Sequence, residues 1–370
     1  MLERFRASFP AAIKTALSQM GRRSTPVRST YMIAVAWLLL GLAFDLIHAQ
    51  PNSGPSIAAV KFRQSFIPTE SYIPDEVALY KKFYEAQGLD VEMRRSTGGG
   101  NAASLVAAGN DQVGVAGAAD VLIARGKGLD VIAIGINMPV DPTAIVSLSS
   151  NPIRTIVDLR GKRIGVVPGS TSLALLQALF KSNNLREQDV QLVLIGAGDL
   201  ISGVMSKRLD AIAAFETTNV PAIRAARADP VSLRFADIGL RVPGNVYIAN
   251  GDYSRKNPDV LARFMAGTIR GWESVYRDGG KEGLAILINA YPELAAQRAF
   301  LGARWDYREE NNYTPYSRGK PFSIDAFKFD PATIDALNTA LVNAQAVQSG
   351  INLGTIFTNA VIDRAQQLLK

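Results

Sequence analysis

Residues 96–120 read STGGGNAASLVAAGNDQVGVAGAAD, and the rest of the chain can be ordered around that run. It has the pattern of a glycine-rich turn, a short helix of small residues and a buried strand. Gly98, Gly99 and Gly100 would set bare backbone N–H groups at a helix N-terminus, an arrangement that suits an anion or a polar ligand head. Asn101, Ala102, Ala103 and Ser104 would leave room above the first turn, where glycine lets the backbone approach closely. Taken alone, an ordinary strand-to-helix turn accounts for the run equally well. A second copy of the device argues for more: 164–167 (IGVV) is a strand, and 168–172 (PGSTS) follows it directly, opening a helix that carries Leu173, Leu176, Leu179 and Phe180. Thr171 or Ser172 would there be a plain cap or a ligand donor.

Upstream of the glycine turn, 57–62 (IAAVKF) has strand length, and the loop at 64–74 holds Phe66, Pro68, Tyr72 and Pro74. Asp75 fits the N-cap of a helix running to residue 87, with Val77, Leu79, Tyr80 and Phe83 as its apolar face and Gly88 ending it. The strand at 89–93 then feeds the turn, which completes a βαβ unit and predicts a parallel sheet with right-handed crossovers. Downstream the alternation continues through a helix at 101–108, a strand at 113–116, a helix at 119–127 and a strand at 131–136. Ligands in open α/β sheets sit beyond the carboxyl ends of such strands. The apolar strand at 144–148 is expected to finish this series, with the polar SSNP at 149–152 as the first crossing.

A second α/β series follows, with strands at 164–167, 190–195 and 211–215 and Glu216 at the end of the last. Residues 246–249 (VYIA) read as a returning strand and second crossing. Helices are then expected at 258–276, 281–289, 292–301, 331–349 and 359–369, with Trp272 and Tyr276 in the core. The aromatic stretch 305–329 is expected to pack on the surface or over the mouth of a cleft. The predicted organisation is one lobe from 57–149 and 247–370, and a second from 150–246.

The 370 residues, 48% of them hydrophobic, suffice for a full core and two domains. The first 49 stand apart. Arg4, Arg6, Lys14, Arg22, Arg23 and Arg28 precede an apolar run at 31–47 that ends at Ile47-His48-Ala49. This is the layout of a secretory signal peptide cut after Ala49, followed by a linker at 50–56. Translation from Met20, a weak twin-arginine signal and an uncleaved anchor are the alternatives, although 17 residues containing Asp45 make a short span. Loss of residues 1–49, with six Lys/Arg and two Asp/Glu, lowers the net charge from +7 to +3, so the basic charge argues only weakly for nucleic acid, and no nucleic-acid partner is expected. It also removes His48, the only histidine, from a chain without cysteine. Ser-His-Asp and Cys-His catalysis, Cys/His zinc sites and disulfides are then excluded, and no catalytic, metal or cofactor residue is assigned.

In order, 77–93 (VALYKKFYEAQGLDVEM), 96–117, 158–180 (DLRGKRIGVVPGSTSLALLQALF) and 207–223 (KRLDAIAAFETTNVPAI) resemble the periplasmic substrate-binding proteins of the nitrate/sulfonate/taurine and pyrimidine-precursor family, the NMT1/THI5-like proteins. The resemblance implies a two-lobed, type II periplasmic-binding-protein fold: two Rossmann-like α/β lobes joined by two crossover segments. It also implies a monomer that holds a small ligand between the lobes and delivers it to an ABC permease and its ATPase. Carried over residue by residue, the cleft would be lined by Phe66 and Tyr72, by Gly99, Gly100 and Asn101, and by Ala118, Ala119 and Met138 in the first lobe. The second would add Gly169, Ser170, Thr171, Ser172 and Glu216, with Tyr247 near the crossover. Each helix terminus would contribute about 0.3–1 kcal/mol to binding acidic oxygens. A buried carboxylate at Glu216 would repel nitrate and favour a ligand that also carries an amine or hydroxyl, such as a taurine-like or aminopyrimidine compound. The eukaryotic pyrimidine-synthesis enzymes of the superfamily match poorly, because their cysteine-rich signature is absent. A membrane-tethered sensor, or an enzyme on the same fold, are the competing functions.

Overall fold

The computed structural model describes residues 57–370; the expected signal peptide or anchor at 1–49 and the linker at 50–56 lie outside the described residues. Among the described residues, ten strands form two five-stranded sheets. The first takes β1 (Ala58–Arg63), β2 (Leu89–Arg94), β3 (Val113–Gly117), β4 (Val131–Ile136) and β10 (Asn245–Asn250) in the order β2-β1-β3-β10-β4. The second takes β5 (Thr143–Leu148), β6 (Arg163–Val166), β7 (Gln191–Leu194), β8 (Ala211–Phe215) and β9 (Pro230–Arg234) in the order β7-β6-β8-β5-β9.

The two sheets share one plan. Each has a local series in which the first strand pairs in parallel with the second and the third, as the βαβ pattern predicts. Each then admits one antiparallel strand from a crossing: β10 lies between β3 and β4, and β5 lies between β8 and β9. Expected in the first lobe, 144–148 instead forms β5 of the second sheet, so the chain crosses at 137–142 and returns at 235–244. The run is buried along almost its whole length. Uniform apolarity marks an interior strand and carries no information about which sheet receives it.

The helices are α1 (Ile73–Tyr80), α2 (Gly99–Ala107), α3 (Ala118–Gly126), α4 (Thr171–Ser182), α5 (Leu200–Met205), α6 (Glu216–Ala225), α7 (Gly251–Lys256), α8 (Pro258–Asp278), α9 (Lys281–Ala290), α10 (Arg298–Glu310), α11 (Pro331–Asn343) and α12 (Ala360–Leu368). Among the described residues no helix is long and apolar enough to cross a membrane. Helix α1 starts before Asp75 and stops at Tyr80, so Asp75 is not its cap; Pro74 occupies the first turn, where its missing N–H costs nothing. Lys82, at φ 59°, turns the chain into a 3-10 segment over Glu85–Gln87, and Gly88, at φ 68°, releases it into β2.

Apolar side chains bind the C-terminal helices to both sheets. Trp272, Trp305, Tyr316 and Phe327 join Phe62, Tyr84 and Phe264 beside the first sheet. Tyr307 and Tyr313 instead join Met138, Val140, Ile212 and Val220 beside the second. The aromatic stretch is therefore largely interior and spans the two lobes, and each such side chain fully buried contributes about 1.5–3 kcal/mol. Helix α11 makes a second bridge, packing on α3 of the first lobe and α4 of the second.

Candidate functional site

Two polar clusters stand where the lobes meet. The first is built on the glycine turn. The N-termini of α2 and α3 converge so closely that a Cβ on Gly99 would lie 2.1 Å from Oδ2 of Asp120, so only glycine fits. Asp120 Oδ2 accepts the backbone N–H of Gly117 at 3.1 Å, and its Oδ1 accepts the hydroxyl of Thr171, in the other lobe, at 3.2 Å. Burial raises the Asp120 pKa, and these two donors act against that rise. The carboxylate packed against Gly99 is thus the chain's own, with Gly117 N–H and the Thr171 hydroxyl as its donors.

Around this pair, the hydroxyls of Thr143 and Ser172 lie 3.3 Å apart, and Thr143 N–H donates to Asp141 at 2.9 Å. Asp141, buried in the first crossing, is pushed up to about 6 by desolvation, with the Asp120 charge adding to the effect. Ser170 is the cap of α4: its hydroxyl accepts Leu173 N–H at 3.2 Å and donates to the Val167 carbonyl at 2.7 Å. Ala118, Ala119 and Met138 are buried nearby, and Ala118 N–H donates to the Gly244 carbonyl at 2.8 Å. Gly100, Asn101 and Gly169 are exposed, Asn101 accepting the Ser96 hydroxyl at 2.7 Å and Gly169 holding φ 69°.

Four other sequence-predicted residues stand elsewhere. Phe66 is 49% exposed, and Tyr72, in the core, donates its hydroxyl to the Phe66 carbonyl, so this pair ties down a loop. Glu216 is fully buried at the start of α6, where Arg234 Nε lies 2.8 Å away and the hydroxyls of Tyr313, at 2.6 Å, and Ser232 both donate to it. Its charge is matched inside the second lobe by Arg234, so Glu216 calls for no ligand amine. Tyr247 belongs to the second polar cluster.

That cluster lies at the carboxyl ends of β1 and β4. The Tyr247 hydroxyl donates to Asp75 Oδ1 at 3.0 Å and accepts from Asn137 Nδ2 at 3.0 Å and Trp272 Nε1 at 2.9 Å. Gln64 Nε2 donates to the other Asp75 oxygen at 2.8 Å. Asp75 is wholly buried, and desolvation pushes it up to about 7 against these donors. Helix α10 lays two arginines against this edge. Arg304 Nε lies 3.1 Å from Glu70 Oε2, while its Nη2 donates to the Thr218 hydroxyl at 3.0 Å, so one guanidinium touches both lobes. Arg308, 2% exposed, has Nη1 3.9 Å from Glu70 Oε1. Its Nε and Nη2, and Oδ1 of Asn137, have no hydrogen-bond partner among the described residues.

Gln64, Glu70, Asp75, Asn137, Arg304 and Arg308 were absent from the sequence-derived site. A signal for the arginines exists, since residues four apart on a helix share a face. The predicted helix at 292–301 stopped short of both. Chemically the cluster offers guanidinium donors and an amide acceptor. Among the described residues no group of three His, Cys, Asp or Glu side chains is placed to hold a metal ion.

The NMT1/THI5 like family profile matches residues 70–279, a span that takes in the glycine turn, Asp75, Glu216 and Tyr247 and ends before α10. The riboflavin-binding protein RibY of Chloroflexus aurantiacus is 27% identical over 227 residues, covering 60% of this chain and 63% of RibY, just under two thirds of its length. The Saccharomyces cerevisiae 4-amino-5-hydroxymethyl-2-methylpyrimidine phosphate synthase THI11 is 23% identical over 231 residues, covering 59% of this chain and 67% of the synthase. Among solved structures, the periplasmic aliphatic sulphonate binding protein SsuA of Escherichia coli superposes with a TM-score of 0.65 at 18% identity, over 82% of this chain and 92% of SsuA. The fold is the two-lobed periplasmic-binding-protein fold expected from the sequence. Matched by the family profile over more than half its length, the chain belongs to the NMT1/THI5 like family.

Proposed function

We propose that the protein is the extracytoplasmic solute-binding component of an ABC importer, holding a small organic ligand between its lobes and passing it to a permease and ATPase. The observation that carries this reading is the polar seam itself. Thr171 meets Asp120, and Arg304 meets both Glu70 and Thr218, so polar side chains from the two lobes converge where closure over a ligand would bring them. Family membership and relatives named as binding proteins support it, as does the secretory layout of residues 1–49, which suits a periplasmic location. In this reading the first lobe comprises β1 to β4 with everything from β10 onward, and the second comprises β5 to β9.

The ligand class is a sulfonate, a taurine-like compound or a pyrimidine-precursor-like compound. A relative named as a synthase motivates one alternative, an enzyme on the same fold. The residues from 57 onward contain neither histidine nor cysteine, so its acid–base chemistry would fall to carboxylates, lysine or tyrosine. A thermal-shift screen of the purified chain against nitrate, taurine, alkanesulfonates, aminopyrimidines and aromatic acids tests the reading. A ligand at about 100 times its Kd stabilises by about 2.7 kcal/mol. A saturable shift without consumption of the compound supports a binding protein; consumption of an aminopyrimidine on incubation would move the assignment to an enzyme.

A further inference from the structure

We propose that Arg308 is the group that reads the ligand's acidic function, and that the ligand is a carboxylate or sulfonate. The inference rests on the binding-protein reading and replaces the helix N-termini with a side chain as the acid's anchor. Burying a charged guanidinium without full pairing costs several kcal/mol, so a buried arginine is ordinarily saturated with acceptors. Arg304 meets that expectation in part: its Nη2 donates to Thr218, while its Nε, 3.1 Å from Glu70 Oε2, makes no hydrogen bond among the described residues. Arg308 does not: its nearest carboxylate oxygen, on Glu70, is 3.9 Å from Nη1, and that carboxylate already faces Arg304.

The two donors of Arg308 without a partner are Nε and Nη2. Their N–H bonds lie along one side of the planar group and run nearly parallel, which is the fork that takes two oxygens of one carboxylate or sulfonate. The nearby charges leave an anion wanted. Arg304 and Arg308 face one close carboxylate, Glu70; Asp75, the next, is held largely protonated by burial below neutral pH. Asn137 adds an acceptor, since its Nδ2 is committed to Tyr247 and its Oδ1 has no partner. An acidic ligand with a hydroxyl or N–H beside its acid group would engage both. Trp305, whose ring centroid lies 5.9 Å from the Arg308 guanidinium, adds a cation–π attraction.

The test compares the full chain with Arg308→Gln and Arg308→Met, using 1-butanesulfonate and benzoate as probes and butanesulfonamide and benzamide as their neutral counterparts. In titration calorimetry the acids should bind the unsubstituted chain, the amides should bind at least tenfold more weakly, and Arg308→Gln should lose at least tenfold in affinity for the acids alone. Acid binding unchanged in Arg308→Gln, or amides bound as tightly as acids, overturns the proposal while leaving the binding-protein reading in place. Thermal unfolding without any ligand is the second arm. Arg308→Met should match or exceed the unsubstituted chain, because an unsaturated buried charge has been removed. A clear drop in its unfolding temperature would make Arg308 a structural partner of Glu70 and overturn the proposal even if none of the four probes binds. Failure of every compound in the wider screen counts against the binding-protein reading instead.

Discussion

At the glycine cluster, Asp120 takes donors from Gly117 and from Thr171 of the opposite lobe, whereas at the arginine cluster Arg308 keeps two donors and Asn137 one acceptor without partners among the described residues. Both stand at the carboxyl ends of the first sheet's strands, where ligands bind in this class of fold. One has its anion built in, and the other presents charge that its own side chains do not match. Resemblance to a ligand-binding turn marks the first; unmet hydrogen-bonding capacity marks the second and is the better guide to a ligand.

Glu216 gives the contrast its sharpest form, because it was read from sequence as a ligand-facing carboxylate and is instead matched by Arg234. Arg234→Ala should therefore give the largest effect, a destabilisation of about 3 kcal/mol, the lower end for breaking a buried pair since Arg234 is partly exposed. Affinity for any acidic ligand should stay within about twofold, under 0.5 kcal/mol by the usual conversion. Chemical denaturation and calorimetry check the two halves, and an unmoved denaturation midpoint would return Glu216 to the ligand's side.

Next in size is Gly99→Val, which would drive a side chain into Asp120. Overpacking of this kind costs about 1–3 kcal/mol, and Asp120→Ala should restore part of it in the double variant. Additive losses would show that the two residues do not meet. A third difference is in pH response. Asp75 is raised to about 7 from an ordinary value of 3.8, so the folded chain binds more protons than the unfolded one between those values. The stability it contributes is complete below about pH 4 and falls as pH rises towards 7, by at most about 1.4 kcal/mol per unit. Asp141, raised to about 6, adds the same sign over a narrower window. Asp75→Asn should flatten most of this slope in urea titrations run from pH 4 to 8, and an unchanged slope would place its origin elsewhere.

What the residues disclosed in advance, and what they withheld, follows the range of the interactions. The glycine turn, the strand before it and the second turn at Gly169 are local patterns, and they stand where they were read. The sheet that receives β5 is a long-range choice between two equally apolar partners. Arg234 is 18 residues from Glu216, and Tyr313 is 97, so nothing near Glu216 announces its neutralisation. Asp120 lies inside the very run first singled out, yet its role depends on α2 and α3 meeting at their N-termini. Arg304 and Arg308 were invisible because the helix carrying them was drawn too short: Pro292 opens a 3-10 segment through Gln297, and the α-helix begins only at Arg298.

The smallest expected effect is Thr171→Ala, which removes one hydrogen bond between half-buried groups and should cost about 0.5–1.5 kcal/mol of stability with little change in acid affinity. Larger losses of affinity there would shift weight back to the glycine cluster. The most direct measurement is a crystal structure of the chain with 1-butanesulfonate bound. Sulfonate oxygens are expected about 2.7–2.9 Å from Nε and Nη2 of Arg308. A sulfonate held instead by the backbone N–H groups of Gly99 and Gly100, or by Thr171 and Ser172, would contradict that placement.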